Sequence, residues 1–163
     1  MKKFLKLHSR SIISLLLIFQ MIFIFIMSSF GSDSSSAQSG QIIQALRQVF
    51  PNLNNTSHLD ASNLVFIVRK TAHFTEYAIL GILFFLFFRQ SFSQKNSSRY
   101  FILAILFSFF YACTDEIHQL FIPGRSGQFT DVLIDTLGAS FGCLLLVLFR
   151  DLRKAWRARH RSQ

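Results

Sequence analysis

Acidic residues are scarce in this 163-residue chain, eight against seventeen Lys and Arg, and there are only two cysteines. Two cysteines do not make the disulfide framework of a small secreted domain. Cys113 and Cys143 stand inside apolar runs without metal-ligand spacing, and read as small buried apolar residues. No phosphate-binding Gly-rich loop, no H-E-x-x-H helix and no G-x-S-x-G elbow occurs, which removes the nucleotide, zinc-protease and serine-hydrolase signatures. No internal repeat is visible, and charge is missing altogether from positions 11–30.

What is present is apolar. Half of the chain is hydrophobic and 21 residues are Phe. A soluble domain of this size could not hide so many rings, whereas lipid accepts them on every face of a helix. The net charge of +9 invites a nucleic-acid reading. The basic residues, however, sit in short blocks flanking the apolar runs, the pattern of membrane orientation, so no nucleic-acid partner is expected.

Four spans are predicted, at about 11–30, 69–88, 100–121 and 131–149, with the second helix beginning as early as Ser62. Each is close to the ~17–25 residues that cross a bilayer. The first follows Lys2, Lys3, Lys6 and Arg10, as a signal peptide would, but it is longer than a signal core and lacks a clean cleavage site. An uncleaved anchor fits better. The expected fold is therefore an all-α integral membrane bundle of four transmembrane helices, one domain over 1–163.

Basic residues orient it. With the N-terminus inside, the first block, then Arg89, Lys95 and Arg99, then Arg150, Arg153, Lys154, Arg157, Arg159 and Arg161 of the 150–163 tail all fall in the cytoplasm. Only Arg47, Arg69, Lys70 and Arg125 remain outside, so both termini are expected to be cytoplasmic. The tail reads as a topology anchor touching anionic headgroups. The first outer loop opens on a Ser-rich stretch read as flexible. Ile42, Ile43, Leu46, Val49 and Phe50 then recur at helical spacing, predicting a short amphipathic helix on the outer surface that Pro51 stops. Asn54-Asn55-Thr56 matches a glycosylation sequon, a common three-residue coincidence.

Five of the eight acidic residues lie in or beside the spans: Glu76, Asp115, Glu116, Asp131 and Asp135. An ionised group in lipid costs ~3 kcal/mol or more, so such a cluster marks function unless it merely locks helices together. Helical spacing puts Arg69, His73, Glu76, Tyr77 and Leu80 on one face. It does the same for Tyr111, Asp115 and His118 with Gln119 close by, and for Asp131, Asp135, Gly138 and Gly142. Counted from the helix ends, Glu76, Asp115 and Asp135 reach similar depths, roughly 6–10 Å below the outer surface. Gly138 and Gly142 form a small-xxx-small pair suited to close helix packing. Pro123-Gly124 predicts a tight outer turn that holds Arg125 over the cluster, with Thr130 as N-cap of the last helix.

These residues resemble the VanZ-like family, membrane proteins named after a teicoplanin-resistance protein. The resemblance rests on Arg69-Lys70-Thr71-Ala72-His73-Phe74-Thr75-Glu76-Tyr77 with Leu80-Gly81, and on Asp115-Glu116-Ile117-His118-Gln119. It continues through Phe121 and Pro123-Gly124-Arg125 to Asp131, Asp135 and Gly138, covering about 62–149. Upstream, Ser28-Ser29 is similar to the family's Ser-Ser, although Phe30 stands where the family often has Gln. The resemblance implies a multi-pass protein of the bacterial cytoplasmic membrane and a link to low-level glycopeptide tolerance. It implies no settled reaction.

Two functions fit the cluster. In the first, Arg69, Lys70 and Arg125 hold an anionic group of a lipid or cell-wall intermediate, with Tyr77, Glu116, Gln119, Asp131 and Asp135 as further ligand contacts. In the second, His73 with Glu76 and Asp115 with His118 form proton-sharing i, i+3 pairs for acid–base catalysis on a lipid-linked substrate. A transporter fits less well, because charge is confined to the outer third. His73, Glu76, Asp115, His118, Asp131 and Asp135 offer donors enough for an interhelical metal. Three basic residues nearby disfavour a cation, and no cofactor is expected.

Overall fold

The computed structural model describes residues 2–50, 61–92 and 97–160. It is five helices: α1 (Lys2–Ser28), α2 (Ser32–Val49), α3 (Ala61–Ser91), α4 (Ser97–Gln119) and α5 (Phe129–Arg159). No strand occurs among the described residues. All but α2 are long and apolar enough to cross a membrane. Pro51, the sequon at Asn54, Lys95 and Arg161 lie outside the described residues.

Each spanning helix buries one stripe and turns the rest outward. On α1 the stripe is Leu17, Gln20, Ile24 and Ser28; on α4 it is Tyr100, Ala104, Ser108, Ala112, Asp115 and Gln119. The 3–4-residue spacing is that of one helix face. The outward faces carry large apolar side chains such as Leu15, Phe19, Phe110, Leu137 and Phe149, each more than half exposed. Water would penalise that arrangement and lipid favours it.

Helix α3 is the hub and packs against each of the other four helices. Its seam with α5 is built from small residues. A Cβ on Gly81 would lie 2.5 Å from the Ala139 carbonyl oxygen, and Cβ atoms on Gly138 and Gly142 would strike the Phe74 and Ala78 carbonyls. The Cys143 thiol donates to the Gly81 carbonyl at 3.2 Å across this seam. Toward one end the interior is aromatic, with Phe85 meeting Tyr100 edge-on at 6.2 Å. Arginines gather there: Arg10 donates to the Gln90 carbonyl, and Arg150 lies 5.7 Å from the Phe85 ring. The other end holds the acidic cluster.

Helix α2 differs from expectation, because it starts at Ser32 and takes in the Ser-rich stretch. Asp33 in its first turn complements the helix dipole, and Ser35 and Ser39 bury on the side that faces the bundle. Small hydroxyl side chains let this helix seat closely, while Ile42, Leu46, Val49 and Phe50 stay exposed. The last helix also runs past the expected 149 to Arg159. At 31 residues it is ~46 Å long against a ~30 Å hydrocarbon core, so its Arg- and Lys-rich turns project beyond the span. Its N-cap is Gln128; Thr130 sits inside the first turn.

Candidate functional site

At the cluster end, the turn from Ile122 to Arg125 closes with a 3.1 Å hydrogen bond from the Arg125 amide to the Ile122 carbonyl. Gly124 has φ +72°, the left-handed value that a Pro-Gly type II turn needs and other residues resist. Arg125 thereby reaches back over the bundle. Its Nε donates to the Phe30 carbonyl at 3.1 Å and its Nη1 to Gln119 Oε1 at 3.2 Å.

Gln119 relays inward. Its Nε2 donates to Asp115 Oδ2 at 3.3 Å and to Glu116 Oε1 at 3.1 Å. The other Glu116 oxygen accepts the Gln128 amide at 2.8 Å, so a carboxylate from α4 caps the N-terminus of α5. Glu116 thus has a structural post beside the ligand role expected of it.

Lys70 forms an ion pair with Asp131, both side chains 12% exposed. His73 faces Asp135, with Nδ1 3.6 Å from Oδ1, rather than sharing a proton with Glu76. His118 turns away from Asp115: its Nε2 is 3.1 Å from Ser29 Oγ, and its ring stacks on Phe25 at 4.4 Å. In place of those two i, i+3 pairings, His73 takes a partner from α5 and His118 one from the segment after α1. Glu76 is half-buried at the edge, within electrostatic reach of His73, Asp115, Asp135 and Arg125.

At the centre, His73 (α3), Asp115 (α4) and Asp135 (α5) converge, with one donor atom from each within 4.8 Å of the others. His73 Nδ1, Asp115 Oδ1, both Asp135 oxygens and the Tyr77 hydroxyl are buried without a hydrogen-bond partner. Ser28 lies beside Asp115, but its hydroxyl donates to the Phe25 carbonyl at 3.0 Å. Buried polar groups left unpaired are costly, and in a native protein they are explained by strain, a chemical role, ordered water or a bound ion.

Above this core, Arg69 stands close enough to Arg125 to act on its charge. Burial, and then that repulsion, lower the Arg125 pKa from its ordinary value. An anion placed between the two would offset that repulsion and favour the charged guanidinium groups. An apolar cavity of ≈ 280 Å³ opens between α4 and α5, lined by Cys113, Ile117, Leu120, Phe129 and Val132 with Glu116 at its polar edge.

The residue patterns missed three contributors. Gln20 donates to the Glu76 carbonyl at 3.1 Å, Ser29 holds His118, and Gln128 begins α5. Gln20 did leave a signal, as the lone amide in the uncharged run 11–30.

Fold and site together define a multi-pass helical membrane protein with a buried ionisable core under an arginine mouth. The chain belongs to the VanZ/LLP1 family, whose model matches residues 13–150. No curated protein and no solved structure matches it.

Proposed function

We propose that this chain binds the anionic head group of an envelope lipid at the outer leaflet of a bacterial cytoplasmic membrane. One observation carries the reading: the apolar cavity between α4 and α5 has Glu116 at its edge, and Glu116 is linked through Gln119 to Arg125, with Arg69 in electrostatic reach. Lipid tails fit the cavity, and the guanidinium groups match phosphate or carboxylate oxygens. Orientation supports it. The end carrying Arg10, Arg99 and Arg150 takes the cytoplasmic side by the positive-inside rule, which leaves the cluster outside. In a cysteine-free background, a cysteine at position 125 is expected to react with an impermeant maleimide on intact cells. One at position 157 should react only after permeabilisation, and the reverse pattern would end this reading.

Binding is testable by native mass spectrometry of the purified chain offered phosphatidylglycerol, undecaprenyl phosphate and phosphatidylcholine. The anionic lipids should be retained, and Arg125→Gln should weaken them by about 10-fold or more, the worth of a charged hydrogen bond. Equal retention of phosphatidylcholine, or an unaffected variant, refutes the assignment. In cells, the same substitution should remove whatever teicoplanin tolerance the wild-type chain confers by altering surface composition.

The buried His73–Asp135 contact favours a second reading, a hydrolase or transferase acting on a lipid-linked substrate. A carboxylate beside an imidazole orients it as an acid–base group. Release of phosphate or head group from the same lipids by wild-type protein decides between binding and turnover.

A further inference from the structure

We propose that His73, Asp115 and Asp135 together bind one divalent first-row metal ion, of the zinc or manganese class, inside the bundle. The inference stands apart from the head-group reading, since it needs only side chains from α3, α4 and α5.

Convergence is the first observation. Three different helices deliver an imidazole nitrogen and two carboxylate oxygens to within 4.8 Å of one another. Ligands around a tetrahedral zinc stand ~3.3–3.6 Å apart, so loading the ion requires only a small inward movement of these side chains. The second observation is independent of that spacing. His73 is 9% exposed, Asp115 4% and Asp135 0%, yet His73 Nδ1, Asp115 Oδ1 and both Asp135 oxygens lack hydrogen-bond partners. At 3.6 Å the His73–Asp135 contact is an ion pair longer than a hydrogen bond, an approach that an ion held between the two groups could replace.

Two of the three basic residues that on sequence grounds disfavour a cation are engaged elsewhere. Lys70 is held by Asp131, and Arg125 by the Phe30 carbonyl and Gln119. His118 is bound to Ser29. Across the whole cluster, the carboxylates of Glu76, Asp115, Glu116, Asp131 and Asp135 outnumber Arg69, Lys70 and Arg125 by two.

Donor chemistry selects the metal. A nitrogen with two carboxylates suits zinc or manganese better than calcium or magnesium, which take oxygen alone, or copper(I), which takes thiolate. Gln119 supplies an outer-shell bond to Asp115 Oδ2. Three protein donors leave a coordination position for water or an anionic oxygen.

The test uses tag-free full-length protein in a neutral detergent without anionic lipid, so that metal binding and head-group binding succeed or fail separately. After chelator treatment, titration with zinc and with manganese should load about one ion per chain, and cobalt(II) should give visible bands of nitrogen–oxygen ligation without thiolate charge transfer. Asp135→Asn and His73→Gln should each weaken binding on the order of 100-fold, while Asp151→Asn on the exposed end of α5 should not. Absence of binding up to millimolar metal overturns the proposal in favour of protons shared among the three groups. So does binding that both variants leave intact. Should the variants fail to fold, the wild-type stoichiometry and cobalt spectrum decide alone.

Discussion

Gly142→Leu is expected to abolish the folded bundle, whereas Gly40→Leu leaves it intact. A Cβ at position 142 runs into the carbonyl of Ala78 and the backbone atoms around it, which have no rotamer to change. The only relief is to part α5 from α3, and that is the seam that places Asp135 opposite His73. Overpacking a core with side chains on both sides costs ~1–3 kcal/mol, and backbone opposition should reach the top of that range or exceed it. In lipid no hydrophobic force pulls the helices back together, so lost close packing is not recovered elsewhere. At position 40, on the exposed face of α2, a Cβ meets nothing within 4 Å. Size-exclusion profiles and thermal unfolding in detergent check both. A Gly142→Leu protein that stays monodisperse with an unchanged melting temperature would show that the α3–α5 contact is looser than described.

The second large effect concerns Lys70. Removing one member of a buried ion pair strands the other, at about 3–5 kcal/mol, while replacing both with apolar side chains is often neutral or stabilising. With both side chains 12% exposed, Lys70→Met is expected to fall in that range, and Lys70→Met with Asp131→Leu to recover most of the loss. Denaturant unfolding of the four proteins of the cycle gives the coupling directly. A single substitution costing under ~1 kcal/mol would place the pair with solvent-screened surface bridges, and would free Lys70 for the ligand contact assigned to it on sequence grounds. The contrast matters for the site. Lys70–Asp131 is self-satisfied, whereas His73 Nδ1, Asp115 Oδ1 and both Asp135 oxygens lack hydrogen-bond partners.

How legible all this was in the residues varies with the range of the signal. Runs of apolar residues announced the four spans, and 3–4-residue spacing announced which face of each carries His73, Asp115 and Asp135. The Pro123-Gly124 turn was equally local, because Gly124 must take a positive φ wherever the chain reverses so tightly. Harder to read was α2, whose serines looked like a linker until their burial against the bundle made small size the relevant property. The capping of α5 by Glu116, rather than by Thr130, was invisible for the same reason: the acceptor comes from another helix.

Hydropathy and periodicity are properties of short stretches, and they were enough to specify an all-helical chain with four membrane-spanning segments and an acidic cluster confined to one end. Partner choice was not among them. That His73 meets Asp135 rather than Glu76, that His118 goes to Ser29, and that Lys70 takes Asp131 depend on how each helix is rotated against its neighbours. One residue turns a helix by ~100°, so a small difference in rotation exchanges every contact. For α3 and α5, which supply the His73–Asp135 and Lys70–Asp131 contacts, the glycine seam fixes that rotation, a contact between residues about sixty positions apart.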